Sequence, residues 1–321
     1  MNPFFETYNT PFGTIPFSQI KLDHFLPAAG KGIIDAKAEI EEIISNKAEP
    51  TFENTIVALE NAGELLDKVT TAFFNLNSAE TNPEMQALAQ EISPLLSTYR
   101  NDVMLNAELF ARVKKVFENG DKGFTEEQKM LLDKSYKSFA RNGANLAAED
   151  QDKLRKIDEE LARLSLTFGE NVLQESNAFS MVLDNEADLD GLPDGIKEAA
   201  AHLAEEKELT GKWIFTLDYP SYIPFMTYAT NRALREKMYK AFSSKAFQAN
   251  EHNNEENIHR IVSLRAERAQ LLGFKSHADY VLAERMAKNP ETVFSFLDDM
   301  QEKALPFAKK NSKFLANTLI S

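Results

Sequence analysis

The sequence predicts a mainly α-helical protein with one small two-stranded β unit. Apolar residues recur at helical spacing along most of the 321 residues, and only two short runs have the β-rich composition of strands. The 12 glycines and 12 prolines are too few for a disordered or linker-rich chain. A chain of this length has a prior of about two domains.

The first 20 residues are predicted to form an extended arm. Three prolines and a glycine punctuate this segment, and a proline disfavours helical geometry in the residue before it. Its aromatic side chains are interpreted as anchors that tie the arm to a helical body. They are Phe4, Phe5, Phe12 and Phe17.

Five helices are predicted to follow the arm. Asn82 precedes a proline at a first helical position, and Thr125 and Gln128 have the spacing of a capping box. The five segments begin near Asp23, Asn54, Asn82, Ala107 and Thr125. We place a domain boundary after them, so that residues 1–145 form the N-terminal arm and helical domain and residues 146–321 form a second part.

The second part is predicted to open with a long helix from Ala147. Its apolar residues are spaced 3, 4, 3, 4 and 4 apart, a narrow seam suited to packing on another helix: Leu154, Ile157, Leu161, Leu164, Phe168 and Val172. Two β-rich runs follow, at 179–183 and 212–217, with an alanine-rich helix between them. Further helices are predicted over 231–247, 254–272 and 277–287, and from Pro290 onward behind an Asn289 cap.

Composition excludes several classes of function. The 36 basic and 50 acidic residues give a net charge of −14, which disfavours binding to nucleic acid or to an anionic membrane surface. The chain has no cysteine, hence no disulfide, thiol nucleophile or Cys-ligated metal. No apolar run reaches the roughly 20 residues that span a bilayer, and no signal peptide is visible. We predict a cytoplasmic location.

No catalytic or metal-ligating residue is predicted. None of the five histidines forms His-Glu-x-x-His, the spacing that places two ligands and a base on one helix face. His252 and His259 are seven residues apart, and about 10 Å of helical rise would separate their backbones. No serine nucleophile motif and no glycine-rich phosphate loop is present.

Three residues are candidates for contact with a substrate. Arg232 and Arg235 lie three apart at a helix start, where they can face one way and grip a carboxylate. The alternative is an ion pair with neighbours such as Glu236. Tyr222 belongs to an aromatic cluster between Tyr219 and Tyr228 that can line a groove, with core packing as the alternative.

Several segments occur in a distinctive order along the chain. They are Asn2-Pro3-Phe4-Phe5, Pro50-Thr51-Phe52-Glu53-Asn54-Thr55, Leu164-Ser165-Leu166-Thr167-Phe168-Gly169-Glu170-Asn171-Val172, Trp213-Ile214-Phe215-Thr216-Leu217-Asp218-Tyr219-Pro220-Ser221-Tyr222, Asn231-Arg232-Ala233-Leu234-Arg235 and Arg285-Met286-Ala287-Lys288-Asn289-Pro290-Glu291. In this order they resemble the thimet oligopeptidase-like zinc metallopeptidases of the bacterial peptidyl-dipeptidase and oligopeptidase A type, and the resemblance covers residues 2 to about 310.

The resemblance implies an elongated helical bundle that forms part of a channel wall, and hydrolysis of short peptides. The family's zinc is held by a His-Glu-x-x-His motif in a C-terminal half, before which this chain ends. We therefore expect no cofactor in this chain, no activity without that half, and apolar surface left exposed. Alternatives are one half of a split enzyme whose partner chain brings the zinc site, and a non-catalytic helical peptide-binding or scaffold module.

Overall fold

A computed structural model describes residues 2–120 and 122–320, with 319 and 320 described by their backbone alone. The strands β1 (Met181–Leu183) and β2 (Trp213–Phe215) form a two-stranded sheet, and helices make up most of the rest. The predicted mainly α fold with a small β unit is therefore confirmed. The helices, in chain order, are α1 (Phe25–Ser45), α2 (Ala58–Asn61), α3 (Glu64–Ala79), α4 (Pro83–Met104), α5 (Ala107–Asn119), α6 (Glu126–Arg141), α7 (Ala148–Ala178), α8 (Asp194–Glu206), α9 (Tyr219–Tyr228), α10 (Arg232–Ser243), α11 (Glu255–Leu271), α12 (His277–Leu282) and α13 (Pro290–Ile320).

The N-terminal arm consists of short 3₁₀ turns joined by extended residues. Asn2 caps the first turn by accepting from the Phe4 amide at 3.1 Å, and its own amide donates to the His24 carbonyl at 2.8 Å. Phe4 is buried, and its ring centroid lies 5.3 Å from that of Phe25. The anchoring interpretation therefore applies to Phe4. It was wrong for the other three phenylalanines, whose side chains are exposed.

Helices α4 and α6 begin at the capping residues that were predicted from the sequence. Thr125 accepts from the Gln128 amide at 3.2 Å and the Gln128 side chain accepts from the Thr125 amide at 3.0 Å, the two bonds of a capping box at the start of α6. Asn82 caps α4 through the Met85 amide at 2.8 Å. Each cap satisfies amides that have no partner within the helix.

The helix predicted from Asn54 is divided in the structure. A π-helical turn over Phe52–Val57 leads into the short α2, and Gly63 separates α2 from α3. Gly63 has φ of +86°, a left-handed conformation that other residues adopt at a cost. The Glu39 carboxylate accepts from the Gly63 amide at 2.7 Å, a tertiary contact that the local pattern of apolar residues does not encode.

Two compact units share the chain. One contains the residues up to Lys31, Leu66–Ser97 and Glu159–Ile261, and the other contains Gly32–Leu65, Thr98–Asp158 and the chain from Val262 onward. The predicted boundary near residue 145 divides the chain differently and stays a prediction. We call the unit that contains the sheet the β-unit side and the other the α6 side.

Each unit has its own apolar core. On the β-unit side, Met181 and Leu183 of β1 point inward while Val182 between them is exposed, the alternation expected of a half-buried strand. Met181 lies opposite Phe215 of β2, whose ring centroid is 4.7 Å from that of Phe225 in α9. On the α6 side, buried residues of α1, α5, α6 and the π-helical turn form a second core, including Leu109, Val113 and Phe139.

The last helix, α13, is exposed along its length. Every residue from Phe294 to Thr318 is exposed to solvent, although many of the side chains are large and apolar. The expectation of exposed apolar surface is therefore met on this helix. Along the part of the chain that the structure describes, no helix is both long enough and apolar enough to cross a membrane.

Candidate functional site

The three predicted substrate-contacting residues lie on α9 and α10 of the β-unit side. Pro220 occupies the first turn of α9, where its missing N–H costs no hydrogen bond. Ser221 in the same turn accepts from the Thr216 amide at 3.0 Å and so ties the helix to the end of β2. Asn231 caps α10 by accepting from the amides of Ala233 and Leu234.

The segment 188–191, which follows β1 in the chain, fixes the connection between α9 and α10. The Thr230 amide donates to the Asp190 carbonyl at 2.9 Å, and the Asn231 side chain donates to the Asp188 carboxylate at 2.9 Å. Gly191 has φ of +84°, and a Cβ there would lie 2.2 Å from the Tyr228 carbonyl oxygen. Only glycine permits this approach of two backbones, which sets where α10 begins.

Tyr222 lies in the core. Its ring stacks on that of Phe242 with centroids 4.1 Å apart and planes inclined by 14°. Burial raises the pKa of its phenol, and the negative charge of ionised Tyr239 adds to the rise. The phenol therefore stays protonated around neutral pH, and the ring acts as part of the wall against which α10 packs.

Arg235 contacts the backbone of its own chain. Its guanidinium donates to the Ala229 carbonyl and, at 3.1 Å, to the Thr230 carbonyl. These carbonyls lie at the end of α9, where helical carbonyls have no intrahelical partner and a positive charge is favourable. Arg235 thus stabilises the C-terminal end of α9 and the connection between α9 and α10.

Arg232 differs from Arg235 because its side chain is exposed. Its neighbour Glu236 forms an ion pair with Lys240 at 2.6 Å. The hydrogen bond from Lys240 is the main reason why the pKa of Glu236 is lowered, and the charge of Arg232 contributes a smaller part. Of the three candidates, Arg232 is the one that presents a charged group to solvent.

A second polar site, on the α6 side, was not predicted. Lys134, Lys137 and Arg141 follow one another along one face of α6 and line a pocket of about 360 Å³ with Tyr280 and Glu284. Lys134 donates to Glu284 at 2.6 Å, and this hydrogen bond is the main cause of the lowered pKa of Glu284. The signal was present in the sequence, since the three cations have spacings of three and four, but spacing alone does not distinguish a pocket from a solvated face.

Two of the histidines, His202 and His259, face solvent. His202 pairs with Glu206 of its own helix at 3.4 Å, and His259 is exposed on α11. Among the residues that the structure describes, no three His, Asp or Glu side chains converge as a set of metal ligands. The side chains that the structure describes therefore offer no set of ligands that fits a zinc ion.

Comparison with known proteins matches nearly the whole chain. Residues 225–319 match the profile of Peptidase family M3. Dipeptidyl carboxypeptidase of Escherichia coli (strain K12) is 36% identical over 301 residues, which cover 94% of this chain and 44% of that protein. Oligopeptidase A of Salmonella typhimurium is 34% identical over 315 residues, covering 96% and 45%. A probable cytosolic oligopeptidase A of Arabidopsis thaliana is 29% identical over 293 residues, covering 89% and 41%. The chain spans less than half the length of these relatives.

Proposed function

Since this chain is a relative of the family M3 peptidases and corresponds to the N-terminal half of dipeptidyl carboxypeptidase and oligopeptidase A, we propose that it is the N-terminal portion of a zinc metallopeptidase that hydrolyses short peptides. The observation that carries the proposal is the match itself, which covers 94–96% of the chain at 34–36% identity in the two bacterial relatives. The proposed substrates are short peptides.

We propose further that the chain is catalytically inactive without the half that holds the zinc. Bound zinc would acidify a water molecule to a pKa of about 7 and polarise the scissile carbonyl. The described side chains offer no ligand set for it. What these residues supply is a scaffold: packed helices and the α9–α10 connection, which form one wall beside a peptide.

Arg232 is the proposed peptide contact within that wall. Its guanidinium is exposed. Two of its N–H groups can donate side by side to the two oxygens of a carboxylate, which suits Arg232 to a peptide's C-terminal carboxylate or to an acidic side chain. Tyr222 and Arg235 act as positioning residues, since the ring supports α10 and the guanidinium holds its start.

The test of the proposed function measures zinc and turnover. The 321-residue chain alone should bind no stoichiometric zinc and release no dipeptide from a synthetic peptide. Mixed with a separately produced polypeptide that carries the remaining half of the Escherichia coli relative, it should co-elute and release product. Stoichiometric metal with turnover by the chain alone would refute the proposal, and failure of the two chains to co-elute would remove the split-enzyme version of it.

A non-catalytic peptide-binding module is the second candidate function. The exposed Arg232 favours it, because two aromatic side chains of α9 and α10, Tyr228 and Tyr239, are exposed as well. Titration with short peptides should then change the fluorescence of Trp213, the only tryptophan. Arg232→Ala should weaken that binding, and Lys237→Ala on the same helix should not. The absence of any saturable signal would exclude the module.

A further inference from the structure

The pocket of about 360 Å³ on the α6 side concentrates positive charge in an acidic chain. Among the described residues that line it, four are cationic and one is anionic, so their formal charges sum to +3, whereas the whole chain carries −14. All of them belong to the same compact unit. The charged lining residues are Lys134, Lys137, Arg141, Glu284 and Arg285.

The cations lie on two walls of the pocket. At about 100° per residue, the spacings of three and four place Lys134, Lys137 and Arg141 within about 60° of one another around α6. The other wall is formed by α12 and the turn that follows it, where Tyr280 and Arg285 line the pocket. A ligand in the pocket would therefore meet positive groups from both sides.

Arg141 is held in place by contacts within its own unit. Its guanidinium donates to the Tyr280 carbonyl and lies 4.7 Å from the ring centroid of Tyr280 and 5.3 Å from that of Phe274. A guanidinium has five N–H donors, and the bond to the carbonyl uses one of them. Because these contacts fix the side chain before a ligand binds, binding costs less conformational entropy.

Glu284 shows how the pocket acts on negative charge. Its carboxylate accepts from Lys134 at 2.6 Å and lies 4.0 Å from the ammonium of Lys137. The hydrogen bond from Lys134 is the main cause of the lowered pKa of Glu284; burial opposes it, and the charges of Lys134, Lys137 and Arg141 lower the pKa further. The pocket therefore stabilises the anionic form of a group that lies in it.

The ion pairs within the protein involve two of the four cations. Lys134 pairs with Glu284 at 2.6 Å, and Lys137 pairs with Asp133 at 2.8 Å. The two positive charges of the lining arginines come in addition to these pairs. An anion with two or more negative charges would balance them.

We propose that this pocket binds a small phosphate-bearing anion with at least two negative charges, such as pyrophosphate or the phosphate chain of a nucleotide. A carboxylate carries one charge and is matched by a single guanidinium, whereas a phosphate chain offers oxygen acceptors to donors on both walls. The volume lies near the lower end of the roughly 300–1,000 Å³ of small-molecule sites, which suits a small ligand.

Glu284 competes with such an anion for Lys134. The side chains of this pair are 29% and 53% exposed, and ion pairs accessible to solvent contribute little to stability. The carboxylate can therefore give way when an anion of higher charge enters. Removal of this carboxylate should strengthen binding, which is an effect that loss of folding cannot produce.

This proposal goes beyond the proposed function and does not depend on it. The test measures binding of an anion by the chain alone and uses neither peptide substrate nor metal. A chain that binds no phosphate could still be half of a peptidase, and a chain that binds phosphate could still be inactive. Failure of one proposal is therefore distinguishable from failure of the other.

The first experiment titrates the 321-residue chain with sodium pyrophosphate by calorimetry, at low ionic strength and without divalent cations. We expect one site per chain, with affinity that falls as salt is added. Lys137→Gln should raise the Kd about tenfold, as expected for loss of one charge-assisted hydrogen bond. Its matched control is Lys129→Gln, which removes the same charge about 140° around α6 from Lys134 and should change the Kd less than about twofold.

The second experiment tests the competition. Glu284→Gln should lower the Kd for pyrophosphate at least about threefold, because it removes the negative charge that pairs with Lys134. Glu60→Gln changes the net charge equally at an exposed carboxylate of the same unit outside the pocket, and it should leave the Kd nearly unchanged. Circular dichroism should show that all the variants are folded.

The third experiment compares sources of phosphate. Equal Kd values for pyrophosphate and adenosine triphosphate, without binding of adenosine, would support a site for the phosphate chain alone. Tighter binding of the nucleotide would support the same site with an added contact to the nucleoside. The proposal would be overturned by the absence of saturable binding of pyrophosphate, by equal effects of Lys137→Gln and Lys129→Gln, by an unchanged Kd in Glu284→Gln, or by binding of a tetraglutamate peptide in place of pyrophosphate.

Discussion

A buried ion pair on the α6 side yields the sharpest stability prediction. Arg268 of α11 donates to Asp158 of α7 at 2.6 Å, with side chains 11% and 20% exposed. It also donates to Asn142 at 3.1 Å, and its guanidinium lies over the ring of Tyr280 at 5.1 Å. The guanidinium remains charged at every accessible pH, so removal of Asp158 leaves a charge with no counter-ion in a mostly dry site.

The expected cost of Asp158→Ala is about 3–5 kcal/mol, the range for loss of one partner from a buried pair. That is a large part of the roughly 5–15 kcal/mol that holds a typical domain folded. The double variant Asp158→Ala/Arg268→Leu should recover part of the loss, because it removes the stranded charge as well. A control is available in Glu160→Ala, which breaks the more exposed Arg260–Glu160 pair and should cost no more than about 1 kcal/mol.

The measurement is urea unfolding of five proteins, followed by circular dichroism and by amide hydrogen exchange: the wild type, Asp158→Ala, Arg268→Leu, the double variant and Glu160→Ala. Exchange assigns the loss to α7 and α11 even if the two units unfold in separate steps. The reasoning would be refuted by an Asp158→Ala variant no less stable than Glu160→Ala. It would also be refuted by additive costs in the double-mutant cycle, since additivity would mean that the two side chains do not interact.

Three further predictions concern pH and backbone geometry. Burial lowers the pKa of His277, and the charges of Arg265 and Arg268 lower it further, so the folded state favours the neutral ring. Stability is then held above the unfolded pKa of about 6.5 and declines as pH falls below it; urea midpoints should show this decline and His277→Gln should flatten it. At Asp102, burial raises the pKa but hydrogen bonds from Lys37 and Arg155 outweigh it and leave the pKa lowered. Its stabilisation should therefore be lost as pH falls through about 4 and below, and Asp102→Asn should weaken that acid dependence in the same assay. Gly191→Ala should destabilise the β-unit side, because its Cβ would lie 2.2 Å from the Tyr228 carbonyl oxygen, whereas Gly195→Ala, with open space around it in α8, should be neutral or stabilising by thermal unfolding.

Helix starts were predictable because their signals are local. The capping residues Asn82, Thr125 and Asn289 each bond to an amide three residues ahead, so four consecutive residues contain the whole interaction. The two β runs were predictable for a similar reason, since short β-rich segments stood between clusters of turn residues. Both kinds of prediction depend on neighbours in sequence.

The departures from prediction arise where a contact from elsewhere in the chain decides the backbone. The Glu39 carboxylate fixes the Gly63 amide and divides the second predicted helix. No helix was predicted directly after β2, but Tyr219–Tyr228 forms the helix α9, which packs through Phe225 on the sheet. Three phenylalanines of the arm are exposed because its 3₁₀ turns direct only Phe4 toward the core.

The candidate site shows the same division between local and tertiary information. Arg232 and Arg235 share a helix start and a residue type, and their spacing predicted one role for both. The structure separates them, because the carbonyls that end α9 lie within reach of Arg235, while Arg232 faces solvent. No spacing rule for α10 alone contains the position of the Ala229 and Thr230 carbonyls.

Two helices of equal length show how far an amphipathic pattern can be interpreted. α7 and α13 each have 31 residues and a continuous apolar face. The seam of α7 includes the fully buried Leu154 and several half-buried residues, whereas the face of α13 is exposed. Periodicity predicts that a face needs a partner, since burial of apolar area is what stabilises such a helix. Periodicity alone does not identify that partner, because the partner's residues lie elsewhere than in the helix whose face it covers.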